Sequence, residues 1–175
     1  MKKIVVGISG ASGVRLGLKF AEKLPKECQV FIIATKNAKI VAQKEENFTI
    51  LDNEEISAIS ASGSSKIDMM AIIPCSMNSL AKISYGIADD LLSRTAAVMI
   101  KEKRKLLIAP RELPYSAIAL ENMHKLSLLN VIIAPPNIAY YANIESLEDM
   151  ENFLIGKWFD MLEIENNLYK RWGEE

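Results

Sequence analysis

The chain has little of what many chemistries require. Its two cysteines, Cys28 and Cys75, and its single histidine, His124, form no group with metal-ligand spacing. Two cysteines are also too few for a disulfide framework, and that usage fits a reducing cytoplasm. Neither sign of charge is in excess, since 21 lysines and arginines face 22 aspartates and glutamates. Nucleic acid or an anionic membrane would therefore find no basic surface, and any phosphate recognition must be local. No stretch approaches the roughly 18 consecutive apolar residues of a membrane helix. The basic opening MKKIVVGI resembles the start of a secretory leader, but its apolar run breaks at Gly7, so it reads as a strand. Repeats, linkers and low-complexity tracts are absent. With 175 residues, half of them hydrophobic, what remains is a single globular domain, 1–175, with a sizeable core.

What is there alternates. KIVVGIS, CQVFIIAT, IDMMAIIPCS, KLLIAPRELP and VIIAPPN are continuously apolar and rich in β-formers, the mark of strands buried on both faces. Between them, GVRLGLKFAEKL, KNAKIVAQKEE, SLAKISYGIADDLLSRTAAVMIKEKR, SAIALENMHKLSLLN and SLEDMENFLIGKWFDML carry helical spacing, and the third of these should break into two helices near Gly86. The polar, serine-rich segment from Asn47 to Lys66 reads as a short strand or helix followed by a loop. Strand–helix alternation predicts an α/β fold, a three-layer Rossmann-like (flavodoxin-like) parallel sheet with helices on both faces.

Such sheets bind ligands beyond the carboxyl ends of their strands. The segments leaving those ends are GISGASG, ATKNA, PCSMNS, PRELP and PPNIAYY, all rich in glycine, proline, hydroxyls or charge. Gly7, Gly10 and Gly13 do not have the spacing of a dinucleotide fingerprint, and the second strand ends at Thr35-Lys36 without the acid that would hold a ribose. No Gly-Lys-Ser/Thr completes a P-loop. A mononucleotide remains, its phosphate met by small groups at the start of a helix.

GISGASG, PCSMNSLAKI, DDLLSRTAAVMIKEKRKLLIAPRELP, LENM, PPNIAYY and RWG, in that order from Lys3 to Gly173, together resemble the UbiX-type flavin prenyltransferases of the flavin-binding decarboxylase-like superfamily. The resemblance implies one FMN-binding flavoprotein domain. It implies a metal-independent enzyme that joins a dimethylallyl group from dimethylallyl phosphate to reduced FMN. The product would serve a partner decarboxylase of the UbiD type, and the assembly would be a homo-oligomer, a dodecamer, with sites shared between subunits. Two alternatives share the superfamily: a flavin-dependent cysteine decarboxylase, which would use a catalytic histidine that His124 does not match in place, and a non-catalytic FMN-binding subunit.

Several residues carry both a bland reading and a functional one. Ser12 could merely cap the first helix, but its place between Gly10 and Gly13 favours a ligand. The resemblance puts Gly10, Ala11 and Ser12 on FMN, with Ser12 also close to the reacting ring atoms. It puts Thr35, where the family has serine, on the flavin, and Ser76, Met77, Asn78 and Ser79 against the ring edge and phosphate. Arg111 binds on the FMN side by the same resemblance, and Glu45 and Glu112 act as proton-transfer groups. Arg94 and Lys101, seven apart and so on one helical face, correspond to a family pair that reaches a neighbouring subunit's phosphate. Ser62, from another chain, and Tyr141 and Lys157 complete that grip. Arg111 and Glu112 directly follow a buried strand, where an unused charge is costly. Cys75 reads as packing, having no histidine to activate it. Asp89-Asp90 is too small a cluster for Mg²⁺ and suits a helix cap. The chain departs from the family at Lys157, Ala97, Ala119 and Ile56, where arginine, aspartate, histidine and, in some members, tryptophan are expected.

Overall fold

Strands whose every side chain is apolar persist only where both faces are covered, and the computed structural model shows that cover. The structure describes residues 1–10, 12–36, 38, 48–142, 144–171 and 173. β1 (Lys3–Ile8), β2 (Gln29–Ala34), β3 (Phe48–Asp52), β4 (Met69–Cys75), β5 (Lys105–Pro110) and β6 (Ile132–Ile133) form one sheet in the order β3-β2-β1-β4-β5-β6. Every pairing is parallel. Helices α1 (Val14–Glu22), α2 (Met77–Ser84), α3 (Leu91–Lys101), α4 (Ala117–Ser127) and α5 (Leu147–Met161) cover it. The helix expected over KNAKIVAQKEE lies almost wholly outside the described residues.

Alternation along each strand sorts the core into two layers. Ile4, Val6 and Ile8 of β1 pack with Phe20 of α1 and with Phe153, Trp158 and Phe159 of α5. Val5 of β1 and Met70 and Ile72 of β4 point the other way, onto Leu80 of α2, Leu92 and Met99 of α3, and Met123 of α4. Thus α1 and α5 cover one face, and α2, α3 and α4 the other.

Local chemistry sets the boundaries. Gly86, at φ +70°, ends the segment after α2 as expected. Asp90 then caps α3: its carboxylate accepts the Ser93 amide at 2.8 Å, and its own amide donates to the Ser93 hydroxyl at 3.3 Å. Asp89 instead pairs with Lys82 at 2.8 Å. The serine-rich segment holds β3 and two short 3-10 turns, Ile59–Ala61 and Gly63–Ser65. VIIAPPN yields only the two residues of β6, because Pro135 and Pro136 have no amide hydrogen to extend an edge strand. α1 lies unusually close to the sheet, since a Cβ on Gly17 would sit 2.0 Å from the Ile73 carbonyl oxygen.

The strand order reverses its direction of growth between β1 and β4, which places a crevice at their carboxyl ends.

Candidate active site

The five strand-end loops meet on one rim, joined by backbone bonds from strand to strand. Thr35 donates to Ile8 at 3.0 Å, Ser9 to Pro74 at 3.0 Å, Arg111 to Cys75 at 3.2 Å and Ala134 to Ile108 at 2.8 Å. At the crevice between β1 and β4 the backbone is shaped around small residues. Gly10 and Gly13 adopt φ +95° and +88°, a region L side chains rarely enter. A Cβ on Gly10 would touch Ser76 Cβ at 3.4 Å, and one on Gly13 would lie 3.5 Å from Pro74 and 3.7 Å from Arg111 Cδ. Side chains at either position would fill the cradle.

Gly13, not Ser12, is the N-cap of α1, and no side chain caps that helix. The bland reading of Ser12 therefore falls. Its side chain is exposed beside an uncapped helix start, an arrangement that favours an anion through amide donors and the helix dipole. By contrast, Ser76 does cap α2, accepting the Ser79 amide at 3.2 Å and donating to the Ser79 hydroxyl at 3.1 Å. Met77 is half-buried, Asn78 exposed and Ser79 buried. The donor set suits a nucleotide phosphate: open helix start, hydroxyls, and one arginine with its stem over the glycine loop. Ala11 and Glu45 fall outside the described residues.

Two expectations about charge and sulfur resolve differently. Arg111 and Glu112 are both exposed, so the argument from burial fails: the chain leaves the sheet at Pro110 and the side chains emerge into solvent. Glu112 is held only locally, its Oε1 accepting the Leu113 amide at 3.1 Å. Cys75 is fully buried, and burial pushes its thiol up to about 12. It is packing, as expected, since a nucleophile must be a thiolate.

The residues assigned to the second ligand divide into two clefts. Tyr141 and Lys157 line a cavity of about 670 Å³ beyond β6, walled by Ile138, Phe153, Trp158 and Met161. Ser62, Arg94 and Lys101 line a separate cavity of about 270 Å³, together with Gly63 and Ala97. The first lies with α5 on one face of the sheet, the second with α3 on the other. Arg94 and Lys101 do share a helical face. Lys101 is engaged by Glu102 at 2.5 Å, which in turn holds that carboxyl below its ordinary value, whereas Arg94 is exposed with no carboxylate within ion-pair distance among the described residues. One subunit thus presents the residues expected on the donor phosphate in two groups, on opposite faces of the sheet. Of the departures, Ala97 borders the smaller cavity, Ala119 is buried in α4 and Ile56 is exposed. His124 lies exposed on α4 and lines neither cavity.

Sequence reasoning missed residues that hold the site. The buried Ser9 hydroxyl accepts the Ser76 amide at 3.0 Å. A serine closing an apolar strand was the available signal. Buried Asn53 accepts the Leu92 amide at 3.0 Å and fixes the start of α3. No local sequence signal announced it.

Comparison with known proteins agrees with this geometry. Residues 1–159 match the flavoprotein family model. The flavin prenyltransferase UbiX of Helicobacter pylori (strain ATCC 700392 / 26695) is 55% identical, over 98% of each chain. AnUbiX (PadA1), solved in complex with FMN and dimethylallyl pyrophosphate, superposes with a TM-score of 0.91 at 32% identity, over 99% of this chain and 98% of that one. A dodecameric FMN-dependent UbiX-like decarboxylase from Escherichia coli O157:H7 superposes with a TM-score of 0.90 at 34% identity, over 98% and 99%. The chain belongs to the flavoprotein family and, within it, to the UbiX flavin prenyltransferases.

Proposed function

We propose that the chain joins a dimethylallyl group from dimethylallyl phosphate to reduced FMN, giving prenylated FMN. The observation that carries this reading is the cradle at Gly10 and Gly13, faced by Ser76, Pro74 and Arg111 and backed by the uncapped start of α1. It supplies directional donors without a basic patch.

The first amides of α1 hold the FMN phosphate, Ser12 lies against FMN close to the reacting ring atoms, and Arg111 adds a charged donor on the FMN side. Thr35, Ser76, Met77, Asn78 and Ser79 border the ring. The flavin, when bound and reduced, supplies a nucleophilic ring nitrogen and a neighbouring aromatic carbon. The donor's phosphate is gripped by Tyr141 and Lys157 of one subunit and by Ser62, Arg94 and Lys101 of its neighbours. The allylic C–O bond breaks with its electron pair passing to the phosphate, and these cations are fixed where that charge develops. The largely apolar cavity excludes the water that would trap an allyl cation. Glu112, and Glu45 outside the described residues, would supply a proton to the alkene carbon and take the one the aromatic carbon loses as the carbon–carbon bond closes the ring, so that no net proton is gained in that step.

The division of phosphate ligands between two faces supports a homo-oligomer with shared sites, a dodecamer as in the Escherichia coli neighbour. The prenylated product would pass to a UbiD-type decarboxylase. Among the described residues, no helix is long and apolar enough to cross a membrane.

The test is direct. The full chain, given reduced FMN and dimethylallyl phosphate without metal, should yield a flavin heavier by one dimethylallyl unit in mass spectrometry. An unaltered, retained flavin would point to a non-catalytic carrier. Release of CO₂ from a cysteine-terminated peptide would point to the cysteine decarboxylase.

A further inference from the structure

The segment after α5 folds back on that helix through one carboxylate. Asp160, in the last turn of α5, accepts from Tyr169 Oη at 2.5 Å and from Arg171 Nη1 at 2.9 Å through Oδ2. Its Oδ1 accepts from Arg171 Nη2 at 2.8 Å and Asn166 Nδ2 at 2.9 Å. The forked arginine contact and the two neutral donors hold Asp160 down to about 2. This lays the Tyr169 ring against α5 at Gly156, where a Cβ would come within 2.4 Å of ring carbon Cδ1. Glycine is a poor helix former, so its place in the middle of α5 answers to that ring.

The contact continues inward. Tyr169 meets Phe153 edge to face with centroids 5.1 Å apart, and Phe153 meets Tyr141 the same way at 6.0 Å. Phe153 and Tyr141 both wall the larger cavity. Phe153 is buried, while the Tyr141 ring stands half in solvent at the mouth and packs edge to face on Phe153. We propose that the tail is a positioning device: Tyr169, locked by Asp160 and seated on Gly156, fixes the Tyr141 ring through Phe153 and thereby sets the affinity for the allylic phosphate donor. This deepens the reading of Tyr141 as a donor ligand and rests on it. Tyr169 is not among the walls of either cavity, so its influence falls on donor binding and leaves the flavin cradle, built on β1, β4 and α1, alone.

The experiment uses the full-length oligomer loaded with oxidised FMN, which binds the donor without turnover, and titrates dimethylallyl phosphate calorimetrically. Gly156→Ala, which displaces the ring, and Tyr169→Ala, which removes it, should each weaken donor binding by about tenfold and raise its KM equally, with kcat and FMN affinity unchanged. Tyr169→Phe keeps the ring and should recover most of the lost affinity. Donor binding at the wild-type level in Gly156→Ala and Tyr169→Ala overturns the proposal. So does a loss of FMN affinity in step with donor affinity, which would mean general damage. Should the wild-type protein bind no donor, the functional reading fails instead. Crystal structures of wild type and Gly156→Ala then decide the positioning role: a displaced Tyr141 ring upholds it, and an unmoved ring overturns it.

Discussion

The Ser9 hydroxyl accepts the Ser76 amide hydrogen at 3.0 Å, so one buried side chain ties the loop after β1 to the loop after β4. These are the two walls of the crevice proposed to hold the flavin. Ser9→Ala leaves the Ser76 amide without its acceptor, at a cost of about 1–3 kcal/mol. Urea unfolding should register that loss, and fluorescence titration should show FMN binding weakened on the order of tenfold. Unchanged FMN affinity in the variant would mean that the loops hold their spacing without the bond.

Gly17→Ala should reverse the usual effect of its type. Alanine in a helix interior normally gains about 1 kcal/mol over glycine. Here the new methyl would meet the Ile73 carbonyl 2.0 Å away, which is backbone and cannot swing aside. Pushing α1 off the sheet costs roughly 1–3 kcal/mol or more, and the start of α1 is the proposed phosphate-binding element. A lowered melting temperature together with weaker FMN retention is expected. A gain in thermal stability would show that α1 can lift freely.

Acid should release the tail as Asp160 takes up its proton. Asp160 is held at about 2, first by Arg171, against an ordinary value of 3.8. Its native pKa is the lower one, so its contribution is complete above about pH 4 and fades as pH falls toward 2. The carboxyl is partly exposed, and solvent screening limits the contribution to on the order of 1 kcal/mol. Asp160→Asn should therefore lower stability near neutral pH and flatten the acid limb between about pH 4 and 2, read by urea titrations across that range. Parallel wild-type and variant curves would assign the acid limb to other carboxyls.

Division of the proposed phosphate ligands between faces makes a mixing experiment informative. Arg94→Ala and Lys157→Ala chains should each be inactive alone. Unfolded together and reassembled at equal amounts, they should recover roughly a quarter of wild-type activity, because that share of shared sites draws both intact halves. No recovery in verified mixed oligomers would place both residues in the same subunit's site.

Much of the fold was legible because its strands obey a strong rule. β4 is apolar on every side chain, as are β1 and β5 after the lysines that open them, and only a doubly covered parallel sheet accommodates that. The break at Gly86 and the cap by Asp90 were readable for equally local reasons. β3 was harder. Its residues are mostly half or fully exposed at a sheet edge, so it lacks both the unbroken apolar run and a clean alternation.

The site was legible as a rim and illegible as a volume. Loops after strands could be gathered on one edge by topology alone. That α3 and α5 stand on opposite faces could not be read, because both helices are amphipathic and neither states which face it covers. Arg111 and Glu112 misled for a related reason: adjacency to a buried strand says nothing of the direction taken after Pro110. The contact of Asp160 with Tyr169 spans nine residues and the turn between them, beyond any helical or strand period.

The larger cavity has walls of two kinds. Phe153, Leu154 and Trp158 belong to the core beneath the sheet, whereas Ile138 and Met161 are 54% and 40% exposed. Redesign toward longer isoprenoids should carve the outer pair, where truncation leaves no void in the interior. Cutting into the aromatic floor would undermine the scaffold before it enlarged the chamber.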